Sequence, residues 1–396
     1  MCMERDLFCR TDRHRAVAGR ALELARVFAG RAPVHDRDGS FPFANVADLY
    51  ASGHSLLTMP REYGGEGGGV YELVLAQSYL ARGDGSTALA IGWHLFKTGQ
   101  LAETRAWDER IFARVCRDAV LNGRLINAAV SEAETGSPTR GGRPTTTARQ
   151  TENGWVLNGR KTYTTMAPVL HYFLVSAAID GAETNGWFLV ERGTPGLAVE
   201  ETWDTLGMRA TGSHDLVLRD VPLPADGLVQ QFGRGVPSEG TAGRGTGWNL
   251  HIPAVYLGIA EAARDFAVGF AARHQPNSIT TVIGELPAVQ AHLGQMELEL
   301  LAARTLLFAL AQRWDEEPDR REALTAPVGG AKVFVVNTAL DVVDRAMRVV
   351  GAASLFKSNP LERYYRDVRA GLHNPPMEDA ALVQLARAAL KAATEV

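Results

Sequence analysis

Two segments constrain this chain most, because their chemistry is complementary and a single loop separates them. The first, Asn127-Ala-Ala-Val-Ser-Glu-Ala-Glu-Thr-Gly-Ser137, reads as an apolar strand running into a Gly-Ser turn. The second, Asn158-Gly-Arg-Lys-Thr-Tyr-Thr-Thr165, reads as a tight turn opening another strand. On that strand the period of two puts Tyr163 and Thr165 on one face. Together the segments predict a small platform with an aromatic wall and hydroxyl donors. Such a platform suits a flat, polar-edged ligand such as an isoalloxazine, whose edge atoms take hydrogen bonds and whose face takes stacking.

The rest of the chain supplies helices on either side. Apolar residues recur at helical spacing from Arg13 to Arg31, with Gly30 expected to mark the end, and a shorter helix is expected over Val46 to Ala51. A glycine-rich loop, Met59 to Gly69, precedes helices expected over Val70 to Ala81, Ser86 to Gln100 and Trp107 to Leu121. From Leu125 to about Val229 the pattern changes to short alternating strands: 145–151, 154–158, 162–165, 172–177, 186–191, 197–200 and 215–218. The Gly-rich stretch Gln231 to Gly247 lacks the strand and lysine of a phosphate loop and reads as a connector. Four longer helices follow, over about 249–272, 286–314, 323–350 and 376–393. The fold class is therefore α+β. A helical domain spans 1–124, a small antiparallel β-barrel or sandwich 125–232, and a four-helix bundle 233–396.

Composition narrows the function classes. A net charge of -4 and a pI of about 6.2 give no nucleic-acid surface. Cys2, Cys9 and Cys116 form neither a metal spacing nor a disulfide framework, which fits a reducing cytoplasm. No signal peptide opens the chain, and no uninterrupted apolar run is expected to span a bilayer, so a cytosolic protein without membrane attachment is expected.

Over essentially its whole length the chain resembles the acyl-CoA dehydrogenase superfamily. There a T-E-P-x-A-G-S segment and an N-G-x-K-x-W-I-T segment hold a flavin; here they read Ser131-Glu-Ala-Glu-Thr-Gly-Ser137 and Asn158-Gly-Arg-Lys-Thr-Tyr-Thr-Thr165. Trp203-Asp-Thr-Leu-Gly-Met-Arg-Ala-Thr-Gly-Ser213 and Leu218-Arg-Asp-Val-Pro-Leu-Pro224 strengthen the match. The resemblance implies the acyl-CoA dehydrogenase fold, a homotetramer or homodimer, and FAD as cofactor. Tyr163 would wall the flavin, Val130, Ser131 and Thr165 would bind its edge, and Gly136 and Ser137 would approach the ribityl chain or phosphate. Asn127 would face the substrate.

The departures from the family are as informative. Removing an α-proton from a thioester needs a carboxylate in a dry site. The usual position of that base, counted from Arg366, holds Pro375, and the minority position just before Asn249-Leu-His-Ile holds Trp248. Glu378 and Asp379 are the nearest carboxylates, but their place in the first turn of a helix suits the helix dipole. The segments that usually reach the diphosphate and adenosine of FAD read Pro276 to Thr280 and Arg348 to Ser354, which leaves FMN as an alternative.

Leu372-His-Asn-Pro375 is similar, with one residue deleted before it, to an L-H-D-P segment of the flavin monooxygenases of this superfamily, such as dibenzothiophene monooxygenase. These also carry a histidine where this chain has His94 and a hydroxyl residue where it has Thr165. They take reduced flavin from a separate reductase, add O2 at C4a, and keep the hydroperoxide in a dry pocket. An imidazole near neutrality can donate to a peroxide and shuttle its proton. The resemblance thus assigns His94 and His373 to the peroxide and its proton. The leading reading is the oxygenase of a two-component flavin monooxygenase that hydroxylates or N- or S-oxygenates a small molecule. An acyl-CoA or acyl-carrier dehydrogenase with a relocated base, and a non-catalytic member of the family, are the alternatives.

Overall fold

The computed structural model describes residues 6–135, 142–233 and 246–394; Gly136, Ser137 and most of the expected Gly-rich connector lie outside them. Helices α1 (Asp12–Asp38), α2 (Phe43–Ala51), α3 (Val70–Ala81), α4 (Gly85–Thr104) and α5 (Glu109–Asn122) form the first layer. Every residue of α3 is buried, and so is every residue of α4 as far as Leu101 except Trp93. Helix α1 does not stop at Gly30. It runs through Gly30 and Pro33 to Asp38, where Gly39 at φ 64° supplies the left-handed end and its N–H bonds the His35 carbonyl.

The central sheet has eight strands: β1 (Leu125–Ala129), β2 (Thr147–Thr151), β3 (Gly154–Thr164), β4 (Leu170–Ile179), β5 (Thr184–Glu191), β6 (Leu197–Glu200), β7 (His214–Leu223) and β8 (Leu228–Gly233). Their order is β6-β7-β3-β2-β4-β5-β8, with β1 also paired to β4. The sheet is mixed rather than wholly antiparallel, because β1 and β2 both run parallel to β4. They share one edge of it. β1 pairs as far as Ala129 with Val175, and β2 starts with Thr147 opposite Ala178, so the edge opens around Ser176 and Ala177. The chain leaves the sheet through this gap at Val130.

Asn158-Gly159 is not the strand-opening tight turn expected. It lies inside a continuous β3, where the register to β7 shifts between Leu157 and Gly159. The Asn158 side chain exchanges hydrogen bonds with Asp220 of the bulged partner, at 2.8 and 3.0 Å. Gly159 sits at φ 152°, and a Cβ there would lie 2.5 Å from Thr146 Oγ1. The dipeptide therefore marks a bulge and a close approach.

Helices α6 (His251–Ala271), α7 (Pro287–Glu316), α8 (Arg321–Val350) and α10 (Glu378–Thr394) occupy the places expected for the bundle, with a short α9 (Pro360–Asp367) between α8 and α10. The stretch Pro318–Leu355, which contains α8, is long and apolar enough to cross a membrane, with a mean hydropathy of 1.3. That corrects the expectation that no such run exists. The apolar part of this stretch is 56% buried within the protein, as a core helix would be.

Two ionic clamps join the helical layers. Glu103 of α4 accepts the indole N–H groups of Trp248 and Trp314, at 3.2 and 3.1 Å, and pairs with Arg321. Asp315 of α7 accepts the N–H groups of Val70 and Tyr71, both at 2.9 Å, and so caps α3 where Gly69 has no side chain to do it. Burial raises the Asp315 carboxyl to about 6. Asp315→Ala leaves these two N–H groups unserved and is expected to lower unfolding free energy by about 1–2 kcal/mol in urea. Asp315→Asn keeps an acceptor and is expected to lose less; equal losses in the two variants would rule out capping as the cause.

Candidate active site

The gap in the sheet is closed by a buried ion pair. Lys161 of β3 is fully buried, and its Nζ lies 2.5 Å from Glu132 Oε1, 3.1 Å from Ser176 Oγ and 3.4 Å from the Val130 carbonyl. Glu132 also accepts the Thr145 N–H at 2.6 Å, the Thr145 hydroxyl at 2.8 Å and the Thr146 N–H at 3.0 Å. Burial alone would raise this carboxyl, but the ammonium and its donors hold it at about 2. The pair fixes both ends of the gap, since Glu132 follows the end of β1 and Thr145 and Thr146 lead into β2. The Ser131 carbonyl completes the closure by accepting the Thr162 N–H at 2.8 Å.

Beyond Lys161 the alternation of β3 breaks. Tyr163 and Met166 stand at φ 56° and 64°, conformations rare for large side chains. Tyr163 and Thr165 accordingly do not share an exposed face. The Tyr163 ring is 65% exposed, while Thr165 is turned inward, its hydroxyl 2.9 Å from Ser213 Oγ. The Tyr163 ring meets the Trp203 ring edge-on, with centroids 5.7 Å apart. Arg192 holds the following turn by donating to the carbonyls of Ala167 and Leu170.

Asn127 acts as a strut of the platform. It is buried, its Nδ2 donates to the Thr165 carbonyl at 3.1 Å, and its Oδ1 accepts the Ala128 N–H at 2.7 Å. His94 is likewise enclosed. Its Nδ1 accepts the Ile126 N–H at 3.1 Å, and its Nε2 donates to the Ser55 carbonyl at 3.2 Å. Burial lowers its pKa to about 4, so the ring is neutral and neither nitrogen is left for a peroxide. The expected role at the peroxide gives way to one of pinning β1 to α4.

His373 is exposed, on the segment between α9 and α10. Its neighbour Asn374 accepts the buried Tyr256 hydroxyl of α6. That segment is coupled to the platform through Asp367, whose carboxylate accepts the Met208 N–H at 2.6 Å, and through Arg366, which bonds the Leu206 carbonyl and pairs with Asp36 of α1. Trp248, at the minority base position, is locked on Glu103. Glu378 and Asp379 lie exposed in the first turn of α10.

The structure thus joins Asn127, Val130, Ser131, Tyr163 and Thr165 into one platform, sets His94 behind it, and ties the His373 segment to its rim. A flavin fits this chemistry. Tyr163 presents an exposed aromatic ring beside the platform, and the half-buried Ser131 has a hydroxyl with no partner among the described residues. Sequence reasoning assigned no role to Glu132, Lys161, Thr211, Ser213 or Asp367, although the quoted segments contained all but Asp367 as separate residues. The signal for the first two was a lysine and a glutamate in facing motifs.

Comparison with known proteins agrees. The acyl-CoA dehydrogenase N-terminal, middle and C-terminal domain families match residues 11–103, 127–221 and 250–374. The chain is 51% identical to a putative acyl-CoA dehydrogenase of Bacillus subtilis, YdbM, over 97% of this chain and 99% of that one. It is 33% identical to the amino sugar nitrososynthase RubN8 of Streptomyces rubradiris, over 89% and 84%. The structure of KijD3 in complex with FMN and dTDP-3-amino-2,3,6-trideoxy-4-keto-3-methyl-D-glucose superposes with a TM-score of 0.83 at 29% identity, covering 96% of this chain and 95% of that one. The chain belongs to the acyl-CoA dehydrogenase family, whose members are flavin oxidoreductases.

Two outcomes test the supports of the platform. Lys161→Met leaves Glu132 buried without its cation and is expected to cost about 3–5 kcal/mol in urea unfolding. The double variant Glu132→Gln/Lys161→Met is expected to recover more than about 1 kcal/mol of that loss, and additive losses would discount the pair. Burial raises the Asp367 carboxyl from 3.8 to about 7, against the pull of Arg363. The native state therefore holds its proton more tightly, and the stability this contributes is complete below about 3.8 and is lost as pH rises through about 7. Asp367→Asn is expected to flatten the dependence of Tm on pH across that window; an unchanged slope would assign it to other groups.

Proposed function

We propose that this protein is the oxygenase component of a two-component flavin monooxygenase, acting on a small molecule with reduced flavin supplied by a separate reductase in the cytosol. The observation that carries the reading is what stands where the family keeps its base. Pro375 cannot take a proton, and the Trp248 indole is consumed on Glu103. The Glu132 carboxylate beneath the platform is taken up by Lys161, Thr145 and Thr146, and that of Asp367 accepts the Met208 N–H, so the groups assigned to the ligand in this reading are hydroxyls, backbone amides and an imidazole. The similarity to RubN8, named as a nitrososynthase, favours N-oxygenation of an amine among the possible reactions.

A bound flavin would supply two electrons and the site of oxygen activation. FMN is the preferred form, in line with the KijD3 complex and with the missing adenosine clasp at Arg348 to Ser354; FAD is the other. In this reading Tyr163 walls the ring, the Ser131 and Thr165 hydroxyls and the backbone at Val130 serve its edge, and Gly136 and Ser137 approach the ribityl chain or phosphate. His373, on the segment anchored by Asp367, holds and returns the proton. His94 is a fixed neutral support behind the platform. Exposed Leu298 and Leu301 on α7, Phe334 on α8, and Leu382, Val383 and Leu390 on α10 favour a homodimer or homotetramer.

The second reading, an acyl-thioester dehydrogenase with a relocated base, draws on the name given to YdbM. Rapid mixing separates the two. Protein carrying reduced FMN, or separately reduced FAD, is mixed with oxygenated buffer while absorbance is followed from the near ultraviolet to the oxidised-flavin bands. An oxygenated transient that outlives that of free flavin is expected. Immediate reoxidation, together with anaerobic bleaching by an acyl thioester, would overturn the oxygenase reading in favour of the dehydrogenase.

A further inference from the structure

The Met208 carbonyl is oversupplied with donors. It receives the Trp203 indole N–H at 3.0 Å, the Thr211 backbone N–H at 3.2 Å and the Thr211 hydroxyl at 3.1 Å. A carbonyl oxygen has two lone pairs, and of these three donors only the hydroxyl can rotate away. Its other neighbour is Ser213 Oγ at 2.8 Å, which in turn lies 2.9 Å from Thr165 Oγ1. The residues of this row are 1%, 4% and 8% exposed for Thr211, Ser213 and Thr165, so bulk water does not compete along it.

Such a row has two self-consistent directions. In one, Thr165 donates to Ser213, Ser213 to Thr211 and Thr211 to the Met208 carbonyl, so that Thr165 offers a lone pair at its open end. In the other, Thr211 donates to Ser213, Ser213 to Thr165, and Thr165 offers its proton. The carbonyl remains served by the indole and backbone N–H groups in both. Every hydroxyl keeps its own proton, and no bond is broken in the exchange.

We propose that Thr211 and Ser213 form a reversible hydroxyl relay that lets Thr165 donate to an oxidised flavin and accept from a reduced one. The inference rests on the flavin-binding part of the reading above and not on its oxygenase part. An oxidised isoalloxazine edge presents acceptors, and reduction turns one ring nitrogen into an N–H donor. A fixed donor would serve the first state and oppose the second. A partner that reverses serves both, and Ser213 and Thr211 are then positioning residues for the redox state of the ligand.

The test uses the purified full-length protein with FMN and FAD, each oxidised and, anaerobically, dithionite-reduced. Dissociation constants are read by spectral titration and the midpoint potential of the bound flavin by spectroelectrochemistry. In Ser213→Ala the Thr165 proton has no acceptor when the ligand donates. The dissociation constant of reduced flavin is expected to rise roughly tenfold, and that of oxidised flavin less than about twofold. The potential is expected to fall by about 30 mV, the equivalent of tenfold for a two-electron couple. Thr211→Val, one link further away, is expected to shift the same ratio in the same sense, and Thr211→Ser to restore it. These conservative variants also carry the test if Ser213→Ala fails to fold. Equal weakening of both redox forms, or no change in either, would overturn the relay while leaving the flavin site standing. Wild-type protein that binds neither flavin in either state would remove the flavin reading and the relay with it.

Discussion

The Lys161–Glu132 pair holds open sheet edges together at the place where the platform forms. A sheet whose strands β1 and β2 share one edge of β4 has a break there, with backbone groups on both sides. Burying two charges costs several kcal/mol each, which the mutual attraction offsets only when the remaining lone pairs and protons are also served. Here they are served by Thr145, Thr146, Ser176 and the Val130 carbonyl. An apolar pair of equal volume would fill the space but could not grip both ends of the loop by hydrogen bonds. Fixing that loop sets where Val130 and Ser131 leave the sheet, and so where a ligand edge can be met.

From that point the constraint passes to the rim. Tyr163 is held in a left-handed conformation, costing of order 1–3 kcal/mol, between Lys161 on one side and the Thr165 contacts to Asn127 and Ser213 on the other. The strain turns an aromatic ring out of the protein and a hydroxyl in. The 203–213 loop that receives the hydroxyl is tied to the C-terminal helices by Asp367 and Arg366 and to α1 by Arg209, which donates to the Asp36 carbonyl at 2.7 Å. The platform is thus a junction of all three layers. A short series of hydrogen bonds connects the segment carrying His373 to Thr165.

What could be read from the sequence follows from how local the physics is. The fully buried α3 was visible to the residue because its apolar run is bounded by glycines and by Arg82-Gly83-Asp84. The platform segments were visible because backbone turns and hydroxyl or aromatic spacing are encoded within a few residues. The bulge at Asn158-Gly159 reads from sequence as a tight turn opening a strand, since the same dipeptide serves both uses and the partner that distinguishes them, Asp220, lies far along the chain. The parallel placement of β1 and β2 and the end of α1 beyond Gly30 depend on distant pairing in the same way. The His94 nitrogens and the Asn127 Nδ2 are paired with backbone atoms of other elements, which no spacing rule reports.

The replacement of a base by neutral groups has a consequence for chemistry that does not depend on substrate. A desolvated carboxylate suits proton abstraction because it gains strength as its charge is left unpaired, but the same charge would repel an anionic oxygen species formed nearby. Hydroxyls and amides stabilise negative charge without themselves supplying any. They also cost little to keep dry, since they can satisfy one another when no ligand is present, as Thr165, Ser213 and Thr211 do. Within one fold, the exchange of a single carboxylate for hydrogen-bond donors would, in the proposed reading, turn a site for removing protons into one for holding reactive oxygen. In the proposed oxygenase reading, proton transfer would fall on a group at the rim, where His373 is exposed.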